Sequence, residues 1–508
     1  MLEVLGAMNP QEIANTLWAF ATLGRQPSEV LLVRLTAQAL TVLEDSNSQQ
    51  IDSTLWALAT LGRQPNEALL VGLAARALTV LEDFNSQGIA ITLWALATLG
   101  RQPSEALMVG LTARALAVLD FTSQGTANTL WAFATLSLPP ETQVLQVFQE
   151  RVLVVSKDFN PQGISNTLWA LAKLGQVPND KVLVVLSARA VEILHYFNPK
   201  DITNMLWTLA KMGHQPEVQL MHAFETRALV VLDDFNCQNI ANTLWALAKL
   251  GHQPEAKMLR AFETRAMAVL SEFNCQNIAN MLWAACFISI SHPDEASCLV
   301  HTLEPRITAL ADSFQLDMQQ RQLHLFFISL ELDEELRGGV PASILALTKM
   351  LGPMCHSAFG NTVPTLVGTS SKSQLEVSRA LIGMGLSVQD EARCLKSGHS
   401  LDMFVHDTPV LHFSGRESAI AHTGAWVVEF DGPTHFLTCR APTGSTLIKQ
   451  HHLNLLGHLL GYSLVSIPYW EWYNVGVGST EREQYLRHKL ESATRSLPVR
   501  PLRSPLGW

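Results

Sequence analysis

Apolar residues in the first 290 or so positions recur at helical spacing, in units of nearly constant length. In one clear copy Ile240, Leu244, Leu247 and Leu250 fall every three or four residues, the period of one face of an α-helix. Asn236 precedes this run in the place of an N-cap, and Gly251 follows it in the place of a left-handed stop. In other copies Asn is followed by proline at the first helical position, as in Asn9-Pro10, Asn160-Pro161 and Asn198-Pro199. After Gly251 the sequence His252-Gln253-Pro254 turns the chain into a second periodic stretch, about Glu255 to Leu270, which ends at Phe273-Asn274. Each unit therefore predicts a pair of antiparallel helices.

The unit length is set by tryptophan. Trp18, Trp56, Trp94, Trp131, Trp169, Trp207, Trp245 and Trp283 are 38 residues apart, with a single step of 37. A constant period of this size marks a repeat array, in which each unit buries its apolar face by stacking on its neighbours. The predicted fold is an α-helical repeat solenoid of about 38-residue helical hairpins. Within the repeat, Ala246 and Ala248 flank the ring and permit close helix approach. A tryptophan at helical spacing among Leu and Ala reads as core rather than as a platform for stacked bases.

A ninth, decayed unit spans Leu303 to Leu330, where Phe326 replaces the tryptophan and Gln319 keeps its spacing of seven. The array is thus placed at 1–330 with a degenerate C-terminal cap. Residues 331–372, rich in Gly, Pro, Ser and Thr from Gly338-Gly339 to Ser371, are expected as a linker. A mixed α/β pattern follows at 373–492. Leu375 to Met384 reads as a helix, and Leu386-Ser387-Val388 and Trp426 to Phe430 as strands. Thr446 to Leu460 reads as a helix, Ser463 to Ile467 as a strand, and Arg482 to Leu490 as a closing helix. Residues 493–508, with Arg495, Arg500 and Arg503 among Pro and Ser, are expected as a basic disordered tail.

Composition narrows the function. Of 508 residues, 48% are hydrophobic and 16% charged, which suits stacked amphipathic helices and argues against disorder. No apolar run approaches the roughly 18 residues of a spanning helix, so membrane insertion is not expected. The net charge is −10, and up to residue 290 there are 18 basic against 24 acidic residues. A polyanion would need a local basic stripe. The seven cysteines contain no Cys-x-x-Cys and no zinc spacing, and Cys237 and Cys275 share one repeat position. Reduced thiols in a non-secreted compartment are expected. The N-terminus carries no secretory h-region and no Arg/Ser-rich presequence, and the first repeat lacks a leading helix, so the sequence reads as starting inside a longer chain. An extended surface rather than a pocket is expected, and no small-molecule substrate.

Three polar columns share the period. Arg76, Arg114, Arg151, Arg189, Arg227 and Arg265 occupy one position, with Gln38 in the first repeat. Evenly spaced arginines suit a phosphate backbone; they equally suit ion pairs between repeats, since Glu44-Asp45 and Asp233-Asp234 close the same helices. Lys173, Lys211 and Lys249 form a second column, held by Thr22, Thr60 and Thr98 in early repeats. Asn15, Asn128, Asn166, Asn204, Asn242 and Asn280 form a third, suited to neighbouring backbone or to a base edge.

The repeat Asn-x-Gln-x-Ile-Ala-Asn-x-Leu-Trp-Ala-Leu-Ala-x-Leu-Gly resembles the octotricopeptide repeat family. Residues Val428 to Phe436, Thr443 to Lys449 and Ile467 to Trp472 resemble the RAP domain. The two together are similar to the Fas-activated serine/threonine kinase-like proteins. The resemblance implies single-stranded RNA binding in an organelle, the mitochondrial matrix or the chloroplast. The implied roles are transcript processing, stability or translation, with other RNA-processing proteins as partners. It implies that the repeats read RNA, about one nucleotide each, with Arg440 and Lys449 adding a basic edge to the RAP domain. It also implies an endonuclease-like fold at 373–492. That fold's catalysis needs clustered carboxylates to hold Mg²⁺ or Mn²⁺, and usually a lysine two residues after one of them. The chain offers Glu391, Asp402, Glu429 and Asp431, with His435 as a base or ligand, but Asp431 occupies the lysine position. The other reading is a retained fold, with Asp431-Gly432 making a turn and His435 a structural hydrogen bond. Three functions follow: an RNA binder, a metal-dependent endoribonuclease guided by the repeats, and a protein-interaction scaffold.

Overall fold

The computed structural model describes residues 5–175, 179–360, 371–394, 396–407, 425–476 and 478–495. The chain divides into two compact units, Met1–Met212 with Pro216–Arg227, and Gly213–Gln215 with Ala228–Trp508. In chain order the hairpins are α1/α2 (Pro10–Thr22, Glu29–Thr41), α3/α4 (Ser48–Thr60, Glu67–Thr79), α5/α6 (Ser86–Thr98, Glu105–Val118), α7/α8 (Ser123–Leu136, Thr142–Val154), α9/α10 (Pro161–Lys173, Asp180–Glu192), α11/α12 (Pro199–Met212, Val218–Val230), α13/α14 (Cys237–Lys249, Ala256–Ala268) and α15/α16 (Cys275–Ile288, Pro293–Ala309). These hairpins make up the repeat solenoid. Among the described residues no helix is long and apolar enough to cross a membrane.

In the first unit the first helices of successive hairpins, α1 through α11, stack each on the next, and the second helices from α2 to α10 form a parallel row. Local chemistry sets the ends. The side chains of Asn9, Asn47, Asn85 and Asn160 accept a backbone N–H three residues on, satisfying a donor that the helix leaves open. Gly24, Gly62, Gly100 and Gly175 follow the first helices at φ of 62° to 70°, a conformation other residues enter only at a cost. Ser137 takes that role after α7 at φ 56°.

The aromatic core is not the one expected. Phe84, Phe121, Phe159 and Phe197, which precede the N-cap positions, are fully buried, as are Phe235 and Phe273 in the second unit. The tryptophans are not core. Trp18 is 49% exposed, and Trp56, Trp94, Trp131, Trp169, Trp207 and Trp245 are half-buried; only Trp283 is buried. The reason is register. On α13 Gln238, Asn242, Trp245 and Lys249, spaced four, three and four apart, are among the residues left out of the core. That spacing is one continuous helix stripe, opposite Ile240, Leu244 and Leu247.

In the second unit α13, α15 and α17 (Asp317–Leu332) stack on one another in the same way, and Phe326 is buried in place of a tryptophan. The expected linker is corrected. Within 331–372 lie α18 (Glu334–Gly338), packed on α16 like a short second helix, and α19 (Ala342–Gly360), stacked on α17. Ile344, Leu347, Leu351, Cys355 and Ala358 recur at helical spacing and are buried, so the Gly-Gly pair marks only a turn. Residues 361–370 lie outside the described residues.

The α/β part comprises α20 (Lys372–Gly383), β1 (Leu386–Arg393), β2 (Ser400–Asp407), β3 (Ala425–Asp431), α21 (Gly444–Leu460), β4 (Ser463–Pro468), α22 (Tyr469–Asn474) and α23 (Ser479–Arg495). The sheet order is β1-β2-β3-β4, antiparallel except for β3 with β4, which are parallel across α21. Parallel neighbours require such a crossover. Strand β2 adds to the expected elements; Leu401, Met403 and Val405 alternate from it into the core. The tail is corrected at its start: residues 493–495 end α23, and Thr494 accepts the indole N–H of Trp426 at 3.1 Å. The disorder expected for the remainder falls outside the described residues.

Candidate nucleic-acid interface

The open face of the first helices carries the same four positions in almost every repeat. They are Gln11, Asn15, Trp18 and Thr22 in α1, and Gln162, Asn166, Trp169 and Lys173 in α9. Neighbouring rings come close, with centroids 6.2 Å apart for Trp18 and Trp56. Later in the first unit lysine reaches over its own helix. The Lys173 ammonium lies 4.9 Å from the centre of Trp169, and Lys211 lies 5.5 Å from Trp207. Asn128, Asn166 and Asn204 make no side-chain hydrogen bond among the described residues. The face therefore offers flat rings, amides with free donors and acceptors, and cations on one side. Stacking on aromatic rings with hydrogen bonds to base edges is how proteins hold unpaired RNA.

The arginine column has another task. In six successive repeats its Nε donates to a backbone carbonyl of the preceding repeat. Arg76 reaches Ser46 at 2.8 Å, Arg114 Phe84 at 2.9 Å, Arg151 Phe121 at 2.5 Å, Arg189 Phe159 at 3.2 Å, Arg227 Phe197 at 2.9 Å and Arg265 Phe235 at 2.8 Å. Arg306 repeats the bond to Phe273 at 2.7 Å. Gln38, the exception, makes the same bond through its amide to Met8 at 3.1 Å. Each carbonyl sits just before a helix start, where no ladder partner exists. The column is a row of staples between repeats. The ion-pair reading holds between repeats for Arg114 with Glu82 at 3.0 Å, whereas Arg189 pairs with Glu192 at 3.0 Å within its own helix.

In the second unit the open face closes. Asn280 and Trp283 are buried. Asn280 donates to Asn242 at 3.0 Å and accepts from Gln276 and Gln322 at 2.9 Å. Helix α21 packs on α13, α15 and α17. The loop before it seats on the repeats: Thr438 N–H donates to Gly213 at 2.9 Å, and Lys249 Nζ donates to Ser445 at 2.8 Å. A Cβ on Gly444 would collide with the Ala248 carbonyl. Lys249, expected with Lys173 and Lys211, is thus held by this loop.

The predicted acidic residues do gather, but each is engaged within the fold. Glu429 is buried, and Lys449, projecting from α21, reaches it at 2.5 Å. Burial lifts the Glu429 carboxyl to about 7, against the pull of the Lys449 ammonium. Burial alone would discharge Lys449, but Glu429 and Asp402 hold its pKa above the usual value. Asp402 accepts the Phe430 N–H at 2.8 Å, and burial raises its carboxyl. Asp431 accepts from Ser466 and bonds His435 Nδ1 at 2.6 Å; that bond raises His435 above its ordinary value. Glu391 is exposed on β1, bonded at 2.8 Å by Gln374, whose amide also reaches the Asp402 carbonyl. Among the described residues no three His, Cys, Asp or Glu side chains are arranged to hold a metal ion. The Lys449 ammonium pairs with Glu429, the most buried of these carboxylates.

The basic edge is corrected too. Lys449 is inside with Glu429. His452 is buried, bonded to Ser329 at 2.7 Å and to His399 at 3.1 Å, and His451 faces Asp333 at 3.6 Å. Arg440 alone stays exposed, its guanidinium 5.4 Å from the Trp470 ring.

The sequence matches the RAP domain over residues 428–489. Comparison with curated proteins gives no match. The helical repeats match the RNA-editing substrate-binding complex 6 protein family over residues 2–219 and again over 177–327. The chain therefore belongs to the RNA-editing substrate-binding complex 6 protein family, with a RAP domain at its C-terminal end.

Proposed function

We propose that this protein binds single-stranded RNA along the open tryptophan face of its first helices and acts in RNA processing within an organelle. The observation that carries this reading is the half-exposed tryptophan ladder. Seven indoles turned away from an available core, flanked by asparagine, glutamine and lysine, have no packing purpose that leucine would not serve better. The family name, which speaks of RNA-editing substrate binding, and the RAP domain support an RNA partner. Eight repeats bound at about one nucleotide each would cover a short tract. The array's net negative charge fits a partner held by stacking and hydrogen bonds rather than by a basic groove. In this reading the RAP domain aids binding, and its acids hold its own fold together. The organelle, mitochondrial or plastid, follows from the resemblance of the repeats.

Crosslinking the tagged protein in cells, followed by sequencing of bound RNA, tests the reading. The expected result is a short motif shared by a few organellar transcripts. Protein partners recovered with no enriched RNA would replace it with a scaffold. Sharp transcript ends at the motif that disappear in Asp431→Ala would instead favour a nuclease.

A further inference from the structure

The RAP domain carries its own aromatic surface beside the acidic cluster, next to His435, which bonds Asp431 at 2.6 Å. Phe436, Tyr469 and Trp470 are all half-buried. The Phe436 and Trp470 rings meet edge-on at 4.3 Å, and Tyr469 lies 5.2 Å from Trp470. Core packing does not account for Trp470, since its neighbour Trp472 fills the domain core and is fully buried. Arg440 leans over the open indole. It does so from a tight turn in which Leu437 N–H bonds Ala441 at 2.8 Å and Arg440 N–H bonds Leu437 at 2.9 Å. Arg440 holds φ at 68° there, a left-handed conformation unfavourable for a residue with a Cβ. His435 sits one residue before Phe436.

This turn is also the loop that docks on the repeats of the second unit. Its Thr438 and Ser445 contact Gly213 and Lys249, and Lys249 is the last cation of the ladder face. The open face ends where Trp283 becomes buried, and Phe436 and Arg440 of the aromatic shelf flank Thr438 in the loop that docks there, with Tyr469 and Trp470 on α22 beside them.

Resting on the RNA-binding reading above, we infer that the shelf of Phe436, Tyr469 and Trp470, with Arg440, is a terminal subsite that takes one unpaired nucleotide of the RNA as it leaves the repeats at Lys249. The base stacks on Trp470, and the Arg440 guanidinium meets the phosphate, a pairing of ring and cation suited to nucleotides. The subsite gives the RAP domain a binding task independent of any cleavage.

The test uses the full chain and oligouridines of about 8 to 14 nucleotides, each with one photoreactive thiouridine moved stepwise along the strand. Thiouridine near one end is expected to crosslink to residues 433–445 or to Trp470, and interior thiouridine to the first helices. Trp470→Ala is expected to abolish the end crosslinks, keep the interior ones and weaken binding about 5- to 100-fold; Trp470→Phe restores most of it. Arg440→Gly, which relieves the backbone, should lose the end crosslink with melting temperature unchanged or raised. Interior crosslinks without end crosslinks, and unchanged affinity in Trp470→Ala, would overturn the subsite and leave the repeat reading standing. No crosslink at any position would overturn both.

Discussion

The arginine column and the tryptophan column share one period and one array, yet they do opposite things. The arginines, the residues that most resemble a phosphate track, tie each repeat to the one before through their Nε atoms. The tryptophans, the residues that most resemble core, face outward beside amides and lysines. Residue type decided neither; register did. Arginine occupies the position nearest the unpaired carbonyl before each helix, and Gln38 shows that any long donor there serves. Tryptophan lies on the polar stripe of the first helix, and phenylalanine takes the core.

The contrast can be broken in several places, starting where the effect is largest. Two lysines of the candidate basic set have different fates. Lys449→Met removes the partner of the buried Glu429 carboxyl and should lower stability in chemical denaturation, more at pH 9 than at pH 6, where the carboxyl takes a proton. Lys173→Met, on the open face, should leave stability unchanged. Equal stabilities would contradict the buried pair.

Acid should separate the two units. Burial holds His324 at about 4 and His452 at about 3, and lowers His399 as well. These groups are neutral in the fold and take up protons only on unfolding. Their contribution is intact above the free histidine value near 6.5 and fades as pH falls below it. In the second unit His324 and His452 each lose about 2 kcal/mol by pH 5, offset in part by Glu429, whose carboxyl at about 7 takes up a proton in the fold before it does so unfolded. In the first unit burial raises Asp52 to about 6. Its folded form keeps the proton, so the cost of its burial is relieved as pH falls through 6, by about 1 kcal/mol at pH 5. Calorimetry at pH 7.5 and pH 5 should show the second unit melting earlier in acid while the first does not. A common downward shift would contradict this.

The staples come next. Arg114→Ala or Arg227→Ala should cost about 1 to 3 kcal/mol, because a partly buried carbonyl loses its donor. Arg227→Gln should cost less than about 1, following the precedent of Gln38. Equal losses from Ala and Gln would mean that charge, not the staple, matters. The smallest effect belongs to the open lysines. Lys173→Met with Lys211→Met should reduce the salt slope of RNA binding by about 0.7 for each phosphate no longer neutralised.

Much of the fold was legible because local rules repeat. Asn caps, glycine stops and the helical apolar period mark the first helix of nearly every hairpin, and β3, α21 and β4 stand out by their own patterns. The site was only half legible. The spacing of Gln238, Asn242, Trp245 and Lys249 already places the tryptophan on a polar stripe, but its size argues for the core. The Phe235 column, which fills the core instead, is the signal that decides between them. The arginine bonds were not readable, since their acceptors are main-chain carbonyls that carry no sequence signal. Nor was the Glu429–Lys449 pair, whose members lie on β3 and α21 and meet only once the crossover is made. The 331–372 segment reads as a linker because its Gly and Pro outweigh the helical spacing of Ile344, Leu347 and Leu351.

The most direct test sets the two columns against each other in RNA binding. Trp56, Trp94 and Trp131 are changed together to Ala in one protein, and Arg76, Arg114 and Arg151 to Gln in another, each titrated with the RNA recovered by crosslinking and each checked for folding by circular dichroism. Stacking worth about 1 to 3 kcal/mol per base predicts that the tryptophan variant loses at least about a hundredfold in affinity, while the arginine variant binds as the parent does. Loss of binding in the arginine variant with retention in the tryptophan variant would contradict the account.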